Sequence, residues 1–192
     1  MQIPHLTNEE KEILKKIAYE SIGYGFEHNQ YLLPRLENLP KILAQKGASF
    51  VTLYRKDLPI HKNLRGCIGS LIPKDPLAKD VAKNAYSAAF SDPRFLKLTK
   101  EEFQTIEIKI SLLSPLEKIY PKSFDDLLDS LKPKLDGLYL KTAEGSATFL
   151  PDVWDKVSDA KEFLKELYKK ADLEIHYPFD KIEWFRYTTT TF

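Results

Sequence analysis

Cysteine is almost absent from this chain. Cys67 is the single one among 192 residues. One thiol makes no internal disulfide, and zinc sites of four cysteines, or of two cysteines and two histidines, are excluded. Histidine is scarce as well. His5, His28, His61 and His176 lie scattered, with no HExxH or similar ligand spacing. The phosphate-binding GxGxxG and Walker A patterns are missing, as is the GxSxG of a nucleophile elbow. We therefore expect no metal site from local motifs; a metal could be held only by residues the fold brings together, and any cofactor is unknown from the sequence.

Long apolar runs are missing too. No stretch approaches the roughly 18 residues of a membrane span. The opening MQIPHLTNEEKEIL is charged early and lacks the apolar core of a signal peptide. The expectation is a cytoplasmic protein without a membrane anchor. Excess charge is lacking: 29 basic residues face 28 acidic ones, for a net charge of +1. No field of one sign steers the chain to nucleic acid or an anionic surface. Ten tyrosines and eleven phenylalanines could stack on bases, but no basic stripe accompanies them.

What is present is material for a core, with 43% hydrophobic and 12% aromatic residues. Thr7 and Glu10 form a capping-box pattern ahead of Ile13, Leu14, Ile17, Ala18 and Ile22, which share one helical face. Gly23 and Gly25 should end that helix or loosen its last turn. GASFVTLYR and LRGCIGSL read as strands on either side of a turn region. Asp75 and Pro76 suit the cap and first position of an alanine-rich helix, LAKDVAKNAYSAAF. Thr99 and Glu102 repeat the capping-box pattern. Ile106, Ile108 and Ile110 alternate as in a half-buried strand. Ser123 and Ser158 are expected to cap two further helices. AEG lies between two strands of a hairpin, and KIEWFRYTTTTF closes the chain as one strand. The five or six strands do not alternate strictly with helices. The fold class is α+β, a mainly antiparallel sheet flanked by helices, with two lobes and a cleft between them. Residues 1–192 form a single domain, and the proline-containing stretch 33–40 is the candidate lobe boundary.

The segment LRGCIGS, residues 64–70, concentrates the chemistry. Arg65 stands two residues before Cys67, and on a regular strand these point to one face. A cation, or the amino end of the alanine-rich helix, would activate the thiol; His61 is the nearest candidate base. The alternative is a packed cysteine. Gly66 and Gly69 leave two readings open: backbone N–H groups free to bind an anion, or room for a helix packed over the strand. In SDPRF, Asp92 and Arg94 form either a loop ion pair or a fork for a ligand carboxylate or phosphate. Glu107 faces away from the core, and Asp136 before Gly137 reads as a turn residue.

The ordered segments GASFVTL, LRGCIGSL, PLAKDVAKNAYSAAFSDPRF, IEIKISLLSP, DGLYLK and FLPDVW resemble the AMMECR-one domain family, called protein A of the AmmeMemoRadiSam system in prokaryotes. The resemblance covers about Glu9 to Phe192 and departs at Asp172, where glycine is usual. It implies an α+β domain of two lobes and association with Memo-type and radical SAM proteins, but no established activity. Residues 64–69 match one family motif, and Asp92, Arg94 and Phe95 match a second. The expected function is binding of a small anionic ligand or partner around LRGCIG, with Arg65, Gly66, Gly69, Asp92 and Arg94 as contacts. A thiol enzyme with Cys67 as nucleophile is the alternative, and an RNA-associated regulator is a third.

Overall fold

The computed structural model describes residues 3, 5–174 and 176–192. It holds helices and two antiparallel four-stranded sheets, an α+β architecture. The chain separates into two compact units. One holds the described residues up to Leu113 together with Thr190–Phe192, and the other is Ser114–Thr189. Residues 33–40, expected at the boundary, lie inside the first unit.

The first unit begins with helix α1, Asn8–His28. Its capping box forms as the sequence predicts: the Thr7 hydroxyl accepts the Glu10 N–H, and the Glu10 carboxylate accepts that of Thr7. The expected stop at Gly23 or Gly25 does not occur. A glycine costs a helix about 1 kcal/mol against alanine. Gly25, however, lies where a β-carbon would press on the rings of Tyr86 and Phe90. Close packing thus accounts for that glycine, and Asn29, at φ 52°, ends the helix.

Strands β1 (Ser49–Arg55), β2 (Leu64–Gly69) and β3 (Ile106–Leu113) pair in the order β2-β1-β3. Helix α2 (Leu77–Phe90) packs with α1 on one face of this sheet. Val51, Leu53 and Ile110 of the sheet are fully buried there, beside Leu14 and Ile22 of α1 and Val81 and Ala85 of α2. Helix α2 starts one residue later than expected. Pro76 takes the cap position, and Asp75 pairs instead with Lys79 at 2.7 Å.

A buried polar knot ties α2 to the sheet. The Asp80 carboxylate accepts the Ser49 N–H and hydroxyl, the Asn84 amide and the Ser70 hydroxyl. Burial pushes the Asp80 carboxyl above its ordinary pKa, against the lowering effect of its hydrogen bonds. A short helix, α3 (Lys100–Phe103), follows with the predicted Thr99–Glu102 capping box.

The second unit carries the sheet β4-β7-β5-β6, built from Glu117–Ile119 (β4), Gly137–Lys141 (β5), Ser146–Phe149 (β6) and Glu183–Tyr187 (β7). Helices α4 (Phe124–Ser130) and α5 (Ala160–Lys170) contribute to its core, where Trp154 stacks on Phe163 at 4.0 Å. Ser123 caps α4 as expected, but Asp159 rather than Ser158 caps α5. The closing segment is two strands, not one. β7 belongs to the second sheet, whereas β8 (Thr189–Thr191) joins the first beside β3. The Ile110 and Phe192 backbones exchange two hydrogen bonds at that seam.

The glycines of LRGCIGS are positioned by packing. A β-carbon on Gly66 would overlap the Ala88 carbonyl oxygen of α2, and one on Gly69 would overlap the Phe50 ring. The first obstacle is helix backbone and the second is a half-buried side chain, met at its ring. Gly66→Ala is therefore expected to lose about 2–3 kcal/mol as an overpacked core. Gly69→Ala should lose about 1 kcal/mol. Thermal unfolding of both variants checks the ranking, and a Gly66→Ala midpoint at the wild-type value would refute it.

Candidate functional site

β2 is an edge strand, so alternate residues turn their backbone groups away from β1. Cys67 is such a residue. Its N–H donates to Asp92 Oδ2 at 2.9 Å, and its carbonyl accepts from Arg94 Nη2 at 3.4 Å. The turn after α2 thus supplies an acceptor and a donor where a neighbouring strand would otherwise stand. This covers the exposed edge of the sheet.

Asp92 is 4% exposed and holds Arg94 by a fork. Arg94 Nε donates to Oδ1 at 3.0 Å and Nη2 to Oδ2 at 2.7 Å, while the Arg94 N–H adds a bond of 3.1 Å to Oδ1. Burial works to raise the Asp92 pKa. The Arg94 guanidinium and the N–H groups of Cys67 and Arg94 outweigh it and hold the carboxyl below its ordinary range. Arg94 is correspondingly raised, first by its hydrogen bond to Asp92, against burial; charge on Asp92 and on Cys67 adds to the effect.

Arg65 departs from the expected place beside the thiol. Leu53 pairs with Gly66, but Tyr54 pairs with Leu64, so Arg65 is the extra residue of a β-bulge. Bulges re-aim side chains. Arg65 is 8% exposed and gives its fork to Glu102, with Nε at 3.0 Å from Oε1 and Nη2 at 2.8 Å from Oε2. Nη2 also donates to the Leu96 carbonyl. Arg55 reaches the same carboxylate at 2.9 Å and pairs with Asp57. The Arg65 hydrogen bond, against burial, holds Glu102 below its ordinary pKa. Among the described residues Arg65 Nη1 is buried with no hydrogen-bond partner, and its guanidinium lies 5.7 Å from the Phe95 ring centroid. The Arg94 guanidinium lies 5.4 Å from that same ring. Residues 64–69 and 92–95 therefore meet, through Asp92, Arg94 and Phe95.

Close packing of α2 accounts for Gly66, the second of the two glycine readings. The carboxyl end of α2, not its amino end, lies against β2 at Gly66, so the helix does not aim its positive end at the thiol there. His61 is exposed in the loop between β1 and β2. Asp136 is a turn residue: its carboxylate accepts the Lys132 N–H, and its carbonyl accepts the Trp154 indole N–H.

Sequence reasoning missed Thr52 and Lys109, and it gave Glu102 only its capping role. Val51 and Leu53 are fully buried under the helices, so Thr52 between them faces the opposite side of the sheet. Thr52 stands opposite Cys67 on one flank and opposite Lys109 on the other. Its hydroxyl donates to Cys67 Sγ at 3.2 Å, and the thiol is half-buried. Strand alternation alone signals the face of Thr52 and Lys109. It does not give the register that aligns them with Cys67.

The acid stability of the protein tests the Asp92–Arg94 pair. A carboxyl with a lowered pKa contributes stability that is whole above the unfolded value and is lost as pH falls through the folded one. At pH 7, Asp92→Asn should cost about 1–3 kcal/mol. The gap between the two unfolding midpoints should close as pH falls below 3.8. A gap unchanged from pH 7 down to about 2 would show that the charge of Asp92 contributes nothing.

Comparison with known proteins agrees with the fold. The AMMECR1 family model matches residues 15–192. A protein of Saccharolobus islandicus is 39% identical over 176 residues, covering 91% of this chain and 76% of its own. One from Methanothermobacter thermautotrophicus is 34% identical over 175 residues, covering 90% and 88%. The crystal structure of the uncharacterised protein PH0010 from Pyrococcus horikoshii superposes with a TM-score of 0.87 at 29% identity, over 97% of this chain and 92% of that one. Among the described residues, no helix is long and apolar enough to cross a membrane.

Proposed function

The chain belongs to the AMMECR1 family, and from that premise we propose that it binds a small anionic ligand on the sheet face around Cys67, with Arg94 as the anchor. One observation carries this reading. The Arg94 side chain is 52% exposed, yet Asp92 and the Cys67 carbonyl hold its Nε and Nη2 in place. Nη1 takes no part in these bonds. A guanidinium fixed on one edge and open on the other is a preorganised donor for a carboxylate or phosphate oxygen.

Arg65 does not share this task in the present reading, because Glu102 and the Leu96 carbonyl occupy its fork. Asp92 acts as a positioning residue for Arg94. A thiol reaction at Cys67 is the second reading, favoured by the Thr52 hydroxyl that holds the sulfur. The resemblance in sequence names Memo-type and radical SAM proteins as the partners such a subunit would serve, within the cytoplasm.

Inorganic phosphate is the probe for the anchor. Titrated into ¹⁵N-labelled protein, it should give saturable shifts confined to the amides of Cys67, Asp92, Arg94 and their strand neighbours. Arg94→Leu should abolish them. Shifts scattered over the surface lysines, or the same shifts in Arg94→Leu, would overturn the reading.

A further inference from the structure

This inference rests on the reading of the Cys67 face as a ligand site and names the class of ligand. We infer that Lys109 is the second cationic anchor of that face, so that the site takes a small molecule with two acidic groups, laid across β2, β1 and β3 over Cys67 and Thr52.

Cys67, Thr52 and Lys109 occupy matched positions on three adjacent strands. Their side chains share the face opposite α1 and α2, because Val51 and Leu53 point into the core. Two strand spacings separate Cys67 from Lys109, about 10 Å between backbones. Arg94 is joined to the Cys67 carbonyl at the outer end of this row. The row therefore reads Arg94, Cys67, Thr52, Lys109: a cation at each end, with a half-buried thiol and a buried hydroxyl between.

Lys109 is exposed, and among the described residues no carboxylate lies within ion-pair distance of it. Its ammonium instead sits 5.3 Å from the Tyr54 ring centroid. That contact steadies the ammonium without neutralising it. Glu107 shares the face one row away, opposite Tyr54. Its charge disfavours an anion on that side and leaves the Thr52 row as the path between the two cations. Lysine in this place is not required by the core, since its neighbours Ile108 and Ile110 fill the other face.

The single cysteine makes the test direct. Alkylation of Cys67 is timed with iodoacetate, an anion, and with iodoacetamide, its neutral analogue, each normalised to a free cysteine derivative in the same buffer. The normalised preference for the anion should be about 3–10-fold at low salt and should shrink towards unity at about 0.5 M salt, where the Debye length is a few ångströms. Lys109→Met should remove most of that preference, and Lys109→Arg should restore it. Adipate should protect the thiol from iodoacetamide at lower concentration than hexanoate, and Lys109→Met should erase the advantage of the second carboxylate.

An unchanged preference in Lys109→Met, an adipate advantage that survives it, or a thiol that reacts with neither reagent before unfolding would each overturn the inference. Circular dichroism of the variant guards against a folding defect. Should Arg94→Leu abolish the phosphate shifts while Lys109→Met alters nothing, the single-anchor reading stands and the second anchor falls. Should Arg94→Leu leave the phosphate shifts intact, the parent reading itself fails.

Discussion

The approach of α2 to β2 over Gly66 is the constraint from which the site follows. With no side chain at that position, the Ala88 carbonyl rests against the strand. Four residues further on, beyond the helix end at Phe90, the chain reaches Asp92 at the right height to take the Cys67 N–H. A helix held farther from the sheet by one methyl group would carry that carboxylate out of hydrogen-bond range. The alanines of α2 serve the same end: Ala78, Ala82, Ala85, Ala88 and Ala89 are buried and keep the helix low over the sheet. Packing and site geometry are thus one design, and the glycine acts on the site through the helix.

Charge is arranged in closed groups. Arg55 and Arg65 meet Glu102 and Asp57, and Arg94 meets Asp92. Each group is neutral as a whole, which lets an arginine as buried as Arg65 persist away from water. What the surface offers a ligand is then decided by which donor edges stay open and by cations outside the closed groups, not by net charge. Glu102 takes four hydrogen bonds, two from Arg65, one from Arg55 and one from the Thr99 N–H. One carboxylate thereby caps α3 and locks the bulge that turns Arg65 aside.

Much of the fold is legible in the residues, because its signals are local. Both threonine capping boxes, the alternation of Ile106 to Ile110 and the AEG hairpin depend on neighbours a few positions away. The failures are failures of range. Gly25 looks like a helix stop until Tyr86 and Phe90 are known to lie against it. The segment 181–192 alternates as one strand, and nothing within it says that its two halves serve different sheets. In the site, the meeting of Cys67 with Asp92 and Arg94 is suggested by two short motifs. The face of Arg65 is misjudged because a bulge is a property of the pairing and not of the strand. Thr52 and Lys109 are invisible for the same reason: register fixes their alignment with Cys67, and register is written in two other strands.

The return of residues 190–192 to the first sheet has a temporal side. β3 offers its outer edge for pairing as soon as it is made, but the strand that covers it is separated from it by the whole of 114–189. At ribosomal speed that interval is roughly 4 to 15 s, ample for a nascent unit to collapse. Through this window a row of buried-to-be isoleucines, Ile106, Ile108 and Ile110, sits on the open edge strand itself. The chain must therefore pass its own synthesis with an unfinished sheet, and any crowding of ribosomes on one message brings such flanks together.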